Sequence, residues 1–350
     1  DSLTELNISC SWKNLKPYNE IKSVKFIICS FDLECTSIDG SFPNPTRPGD
    51  KIIQIGLTLS RYGEDECYDK YILTLGGCSP LQGVNVLSYK TEKKLLIGFA
   101  ELIRKIDPDM ITGYNIFGFD FYYIRERSIL LGVADEVAKL SRLKELSSEY
   151  VESKLASSAL GENILKYYKM PGRVVFDLMK VIQRDHRLAS YKLDEVAANF
   201  IRESILDITY DDKQDRTTIK TKNTNGIYQD QFIKICYNDG MTENTYMDGK
   251  KFKILELTKT SITFNGKVNT EEFMNRGYKV YWSQAKDDIS PNDIFRLFAG
   301  SADDRKTIAE YCVQDCALCN KLMMKLEILA NNIGMSNVCS VPLSFIFMRG

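Results

Sequence analysis

Two acidic residues two positions apart, Asp32 and Glu34, follow the apolar run Val24 to Phe31 in Phe31-Asp32-Leu33-Glu34. Asp120 closes Asn115-Ile116-Phe117-Gly118-Phe119-Asp120, and Asp315 closes Tyr311-Cys312-Val313-Gln314-Asp315. Carboxylates are hard oxygen ligands suited to Mg2+ or Mn2+. Two such ions a few ångströms apart can activate a water and stabilise a departing oxygen, which is the chemistry of phosphodiester hydrolysis. An acid embedded after an apolar strand is poorly hydrated and needs a partner such as a cation. Residues 32 and 34, two apart on a strand, share one face. Tyr311 and Asp315, four apart on a helix, share a face as well.

These residues need elements to carry them. Val24 to Phe31 reads as a central strand ending at Asp32, and Lys51 to Leu57 and Lys70 to Leu73 as the next two strands. Gly40 to Gly49, rich in Pro and Gly, reads as a loop. Leu95, Leu96, Phe99, Leu102, Ile103 and Ile106 form a helical stripe over Glu92 to Ile106, followed by a short strand Met110 to Thr112. Helices are expected over Phe119 to Leu131 and Asp135 to Leu155, then a strand Val174 to Phe176 and a helix from Asp177 to Gln183. Strands alternating with helices indicate an α/β layered fold.

From Leu206 to Trp282 the pattern changes to period two, with turn signals at Asn238-Asp239-Gly240, Asp248-Gly249 and Asn265-Gly266. This stretch is expected to be an inserted, mostly β subdomain, a small barrel, with a hairpin at Asn265-Gly266. Ser290-Pro291 and Ser301 to Asp304 read as helix starts, the second opening the helix that carries Tyr311 and Asp315. The expected division is a flanking segment 1–23, a discontinuous domain 24–205 with 283–350, and the insertion 206–282.

At 350 residues, with 44% hydrophobic and 27% charged content, the chain is of ordinary globular composition. No apolar run approaches the roughly 20 residues needed to span a bilayer, and no membrane partner is expected. The start at Asp1 suggests a fragment of a longer protein, and the absence of a signal peptide an intracellular setting with reduced thiols. A net charge of −1 announces no basic nucleic-acid surface, but ions bound at an acidic site restore attraction for phosphate. Cys312, Cys316 and Cys319 lie at helical spacing and read as small buried residues ahead of a zinc site. The single histidine, His186, would have to serve any Ser-His-Asp triad or His-containing zinc site; it reads as an exposed loop or helix residue.

Phe31-Asp32-Leu33-Glu34-Cys35, Gly113-Tyr114-Asn115 through Phe119-Asp120, and Tyr311 through Asp315 resemble the three exonuclease motifs of B-family DNA polymerases. Asp107-Pro108-Asp109, Ile182-Gln183-Arg184, Ser190-Tyr191-Lys192-Leu193 and Val341-Pro342-Leu343-Ser344-Phe345 are similar to eukaryotic polymerase delta. The resemblance covers about three quarters of the chain and lapses over the insertion, a pattern found in polymerases of large DNA viruses. It implies a ribonuclease H-like fold and a DEDDy-type, two-metal 3′→5′ proofreading nuclease using Mg2+ or Mn2+. Asp32, Glu34, Asp120 and Asp315 would hold the metals, and Tyr311 would orient the attacking water. Related nucleases carry a His five residues before the last Asp, and Glu310 stands there instead.

The resemblance also implies a single-stranded or frayed DNA 3′ end as substrate, with Leu33, Asn115, Phe119, Tyr191 and Lys192 as its contacts. Phe121, Tyr122 and Tyr123 share Phe119's aromatic cluster, at least two of the four being expected in the core. Asp177 is a matched position with a structural alternative. Palm, fingers and thumb of the same polymerase and a processivity clamp are the implied partners, in the nucleus or at a viral replication site. No Asp-Thr-Asp polymerase motif occurs, so nucleotide addition is not expected of this chain. The rival reading is a catalytically silent DNA-binding or scaffold domain on the same fold.

Overall fold

The computed structural model describes residues 2–4, 7–16, 24–64, 66–157, 161–285 and 289–348. Residues 1, 5, 6 and 17–23 of the flanking segment 1–23 therefore lie outside the described residues. The chain forms two compact units, one of residues 1–187 with 289–350 and the other of residues 188–288.

The first unit opens with β1 (Ile27–Cys35), β2 (Ile52–Arg61), β3 (Cys67–Leu75), β4 (Asn85–Tyr89), α1 (Glu92–Ile106) and β5 (Met110–Thr112). It continues through α2 (Asp120–Leu130), α3 (Ala134–Val137), β6 (Glu149–Ser157), β7 (Gly161–Lys169), β8 (Val174–Val175) and α4 (Leu178–Asp185). Its main sheet has the order β4-β3-β2-β1-β5-β8. β2 runs antiparallel to both neighbours, whereas β1, β5 and β8 are mutually parallel. β1 lies centrally because it is apolar along most of its length, with Cys29, Phe31 and Leu33 all buried.

α1 takes the expected bounds. Thr91 caps it by accepting the Lys94 N–H, and Asp107, at φ 52°, ends it in the left-handed region. Its stripe packs into one core with Phe31, Phe117 and Phe121.

The helix expected over Asp135 to Leu155 is not formed. After α3 the chain builds the antiparallel hairpin β6–β7, in which Tyr150 faces Tyr168 with ring centroids 5.4 Å apart. Cross-strand aromatic pairing overrides the local helical pattern. β1 also outlasts its expected end at Asp32, and pairing with β2 carries it through Glu34.

The second unit contains α5 (Leu193–Phe200), β9 (Arg202–Asp211), β10 (Arg216–Thr221), β11 (Phe232–Asn238), β12 (Glu243–Thr245), β13 (Lys251–Leu257), β14 (Ser261–Asn265), α6 (Glu271–Asn275) and β15 (Lys279–Ala285). β15 pairs with both β9 and β11, so β11-β13-β14-β10-β9-β15 close into a small barrel. Trp282 is fully buried within this unit and its indole donates to Thr221 Oγ1 at 3.0 Å. The unit starts at Leu188, ahead of Leu206, because α5 packs on β15.

Asn265-Gly266 is not a hairpin turn. Gly266, at φ 93°, donates its N–H to Asp215 O, and the chain leads on to α6 instead of returning along β14. The hairpin joins β13 to β14 through Thr258, whose N–H reaches Ser261 O.

The chain then returns to the first unit with α7 (Pro291–Phe298), α8 (Ala302–Lys325), α9 (Ile328–Cys339) and α10 (Leu343–Met348). Ser290 and Ser301 cap α7 and α8 in reciprocal capping boxes with Asp293 and Asp304. Among the described residues no helix is long and apolar enough to cross a membrane.

Candidate metal centre

Asp32 and Glu34 project from the end of β1, where pairing with β2 shifts register between Glu34 and Cys35. Asp120 is the first residue of α2, and Tyr311 and Asp315 lie one turn apart on α8. Glu34, Asp120 and Asp315 are buried, while Asp32 and Tyr311 are half-buried.

α8 packs across β1 and β2. Gly56 of β2 stands opposite Asp32 and makes this approach close. A Cβ there would lie 2.8 Å from Cys312 Sγ and 3.3 Å from the Cys312 carbonyl carbon. The missing side chain lets the helix bring Cys312 against Asp32, with Sγ 3.6 Å from the Asp32 carbonyl oxygen and 4.0 Å from its Oδ2. Gly56→Ala should push α8 outward and cost about 1–3 kcal/mol. It should also slow any chemistry using carboxylates from both elements by roughly tenfold or more. Thermal melts together with turnover measurements check this, and an unchanged rate would detach α8 from the site.

Asp120 is anchored from behind. Asp177, 1% exposed, caps α4 through Met179 N–H at 2.9 Å. The same carboxylate accepts Asn115 N–H at 3.0 Å and Phe117 N–H at 2.9 Å. Asn115 takes φ 61°, and a Cβ on Gly113 would stand 2.4 Å from Phe31 O. The Gly113–Phe119 turn is thereby pinned between α4 and β1. Burial, moderated by those amides and by Lys180, pushes the Asp177 carboxyl up to about 6.

Burial, then the Asp32 and Asp177 charges, push the Asp120 carboxyl well above the usual carboxylate range. The Leu33 N–H acts on it in the opposite sense. Asp120 Oδ1 is buried and has no hydrogen-bond partner among the described residues. A buried carboxylate with an unused oxygen beside further carboxylates has the chemistry that a cation would satisfy.

The donor set fits hard divalent ions. Ligand atoms of Asp32, Glu34 and Cys312 lie within 4.8 Å of one another. Burial holds the Cys312 thiol protonated, pushed up to about 12, so carboxylate oxygen is the chemistry this group offers a hard divalent ion. Cys316 and Cys319 are buried on the same helix.

The expected DNA contacts are more scattered. Leu33 is buried in the core and Asn115 is half-buried in its turn. The Phe119 ring packs against Tyr123 at 5.2 Å and edge-on against Phe42 at 5.7 Å. Phe121 and Tyr123 are fully buried, and Lys166 Nζ sits 4.1 Å over the Tyr122 ring. Tyr191 and Lys192 belong to the second unit, where the Tyr191 hydroxyl accepts the Leu188 N–H. His186 is half-buried at the end of α4.

Three features escaped sequence reasoning. Gly56 carries no motif, and its role follows from strand register. Cys312 reads as filler until α8 is docked. Phe42, 78% exposed, was signalled only as an aromatic inside a Pro- and Gly-rich loop. That loop is anchored by buried Arg127, which donates to Glu92 at 2.7 Å and to Arg47 O at 2.8 Å.

A sequence profile described as DNA polymerase family B, exonuclease domain, matches residues 1–196, and the chain belongs to that family. Tyr311 and Asp315 lie beyond the matched span. Among individual relatives, the chain is 46% identical over 306 residues to a DNA polymerase of Pyramimonas orientalis virus, covering 87% of this chain and 23% of that protein. It is 36% identical to a DNA polymerase of Acanthamoeba polyphaga mimivirus, covering 99% and 26% of the two chains. The DNA polymerase delta catalytic subunit of Glycine max is 29% identical, with 100% of this chain and 25% of that protein covered. The chain spans about a quarter of the length of these curated relatives.

Proposed function

We propose that this chain is the proofreading 3′→5′ exonuclease domain of a replicative B-family DNA polymerase, hydrolysing the terminal phosphodiester of single-stranded or mismatched DNA 3′ ends. The observation that carries the reading is the buried Asp120 carboxylate, with an unused oxygen, acted on by Asp32 within a unit of the matching family. A ribonuclease H-like fold is supported by the parallel β1-β5-β8 arrangement with the antiparallel β2 alongside β1.

In this reading Asp32, Glu34, Asp120 and Asp315 hold two ions, Mg2+ or Mn2+. When bound, the ions supply the activation of water and the stabilisation of the leaving oxygen. Tyr311 orients the attacking water by one hydrogen bond, which makes the site DEDDy in type. Leu33, Asn115, Phe119, Tyr191 and Lys192 contact the unpaired end, and stacking on Phe119 holds its base. Residues 24–205 and 283–350 constitute the nuclease and 206–282 an insertion. The palm, fingers and thumb of the same polymerase and a processivity clamp are its partners, in the nucleus or at a viral replication site.

The test is end-labelled single-stranded DNA with Mg2+. Progressive shortening from the 3′ end with release of 5′-monophosphates is expected, because an unpaired end avoids the few kcal/mol of unpairing that a duplex demands. Shortening from the 5′ end refutes the polarity. Intact DNA with bound protein returns the silent-domain reading.

Tyr311→Phe should slow excision by on the order of 10- to 1000-fold without abolishing it, the range for losing one positioned donor. Single-turnover rates check this, and full activity would remove the phenol from the mechanism. Replacing residues 206–282 with a Gly/Ser linker should leave a folded, Mg2+-dependent nuclease, since closing a long surface loop costs little. An unfolded product would make the barrel part of the nuclease core.

A further inference from the structure

We propose that Cys312 is a third ligand for thiophilic ions, so that Zn2+ or Cd2+ binds Asp32, Glu34 and Cys312 together and silences the centre. The inhibitory consequence rests on the nuclease reading, whereas the binding is measured apart from it.

Three observations combine. Two carboxylates and one sulfur present ligand atoms within 4.8 Å of one another. Zinc bonds to sulfur and carboxylate oxygen are about 2.3 and 2.0–2.2 Å, so small side-chain rotations bring all three onto one ion. The sulfur is held in place, since Cys312 is fully buried and Gly56 leaves the space it occupies. Asp120, 2% exposed, has a buried Oδ1 with no partner among the described residues, so the acidic centre that the ion enters is not internally satisfied.

Ligand softness decides between ions. Mg2+ and Mn2+ take oxygen and leave a neutral thiol alone, whereas Zn2+ and Cd2+ favour thiolate. On binding, the Cys312 S–H bond breaks, its proton passes to solvent, and the sulfur lone pair forms the metal–sulfur bond. The resulting site would hold a soft ion firmly in place of the exchangeable hard ions that turnover needs. Excision would then stop while the fold is retained.

The test uses the 350-residue chain with exposed Cys10 and Cys339 replaced by Ser. Cd2+ titration should produce the ultraviolet cadmium–thiolate charge-transfer band and raise the unfolding temperature. Cys312→Ser should lose the band and weaken Cd2+ binding by at least the roughly 10–100-fold caused by losing even an outer partner of a metal site. Cys316→Ser, altering an equally buried thiol outside the triad, should keep the band and controls for folding. Asp32→Asn should weaken Cd2+ binding with Cys312 intact. The band persisting in Cys312→Ser, or disappearing equally in Cys316→Ser, overturns the proposal. Zn2+ added to Mg2+-supported excision should inhibit the parent chain at concentrations tolerated by Cys312→Ser. Absence of excision with Mg2+ alone would count against the nuclease reading, leaving the cadmium band to decide the site.

Discussion

Asp32→Ala and Asp315→Ala should each abolish Mg2+-dependent excision while the domain remains folded. The two carboxylates come from different elements, β1 and α8, whereas Asp177 caps α4 and Glu92 pairs with the buried Arg127. Removing a charge stabiliser from such a centre costs on the order of 10²–10³-fold in rate, and a lost metal ligand should cost at least that. Stability should move the other way. In the metal-free protein Asp120 is pushed above the ordinary carboxylate range by burial and then by Asp32. Its folded form therefore binds its proton more tightly than the unfolded chain does. The stabilising contribution is complete below the unfolded pKa and is lost as pH rises through the folded one.

Metal-free protein should thus melt at a higher temperature near pH 4 than near pH 8 as far as this group is concerned. Mn2+ should restore stability at neutral pH, and Asp32→Ala should flatten the fall by removing the adjacent charge. Melting curves at both pH values, with and without Mn2+, accompany the excision assay. Near-normal cleavage by either variant would end the metal-ligand assignment. Loss of the unfolding transition would give the altered carboxylate a structural role.

The contrast between acids that bind ions and acids that hold the backbone was only partly legible in sequence. β1, α1 and β5 could be read because apolar runs and a helical stripe directly encode burial, and Ser290 and Ser301 because a cap is a local hydrogen bond. The setting of Asp120 followed from its turn and helix start. The β6–β7 hairpin was illegible because Tyr150 and Tyr168, which stabilise it, meet only across strands. Asn265-Gly266 misled for the opposite reason: the turn is real, but Asn265 is already paired with Arg216 of β10 and no returning strand follows. Gly56 and Cys312 acquire meaning only when β2 and α8 pack together. Asp177 was matched as a position, but its three amide donors belong to segments that only the fold brings together.

Among Asp32, Asp120, Asp177 and Asp315, Asp177→Ala should therefore be the most destabilising single change. Two effects oppose one another. Deletion strands the N–H groups of Asn115, Phe117 and Met179, each a buried or half-buried donor worth about 1–3 kcal/mol when left unpaired. It also removes a charge that burial disfavours: a shift from 3.8 to about 6 corresponds to about 3 kcal/mol at neutral pH. Three such donors, about 3–9 kcal/mol together, outweigh the charge over most of that range, leaving a net loss of up to about 6 kcal/mol near pH 7. Because the folded pKa is raised, Asp177's contribution is greatest below pH 3.8 and declines as pH climbs through about 6. The penalty of the substitution should accordingly be larger at pH 5 than at pH 8, opposite to an acid stabilised by a salt bridge. Asp177→Asn keeps one accepting oxygen but turns an NH2 toward one amide, and should fall between wild type and Ala. Urea melts of the three proteins at both pH values settle the sign. A penalty that grows with pH, or an Ala variant as stable as wild type, would show that the Gly113–Phe119 turn holds Asp120 by other means.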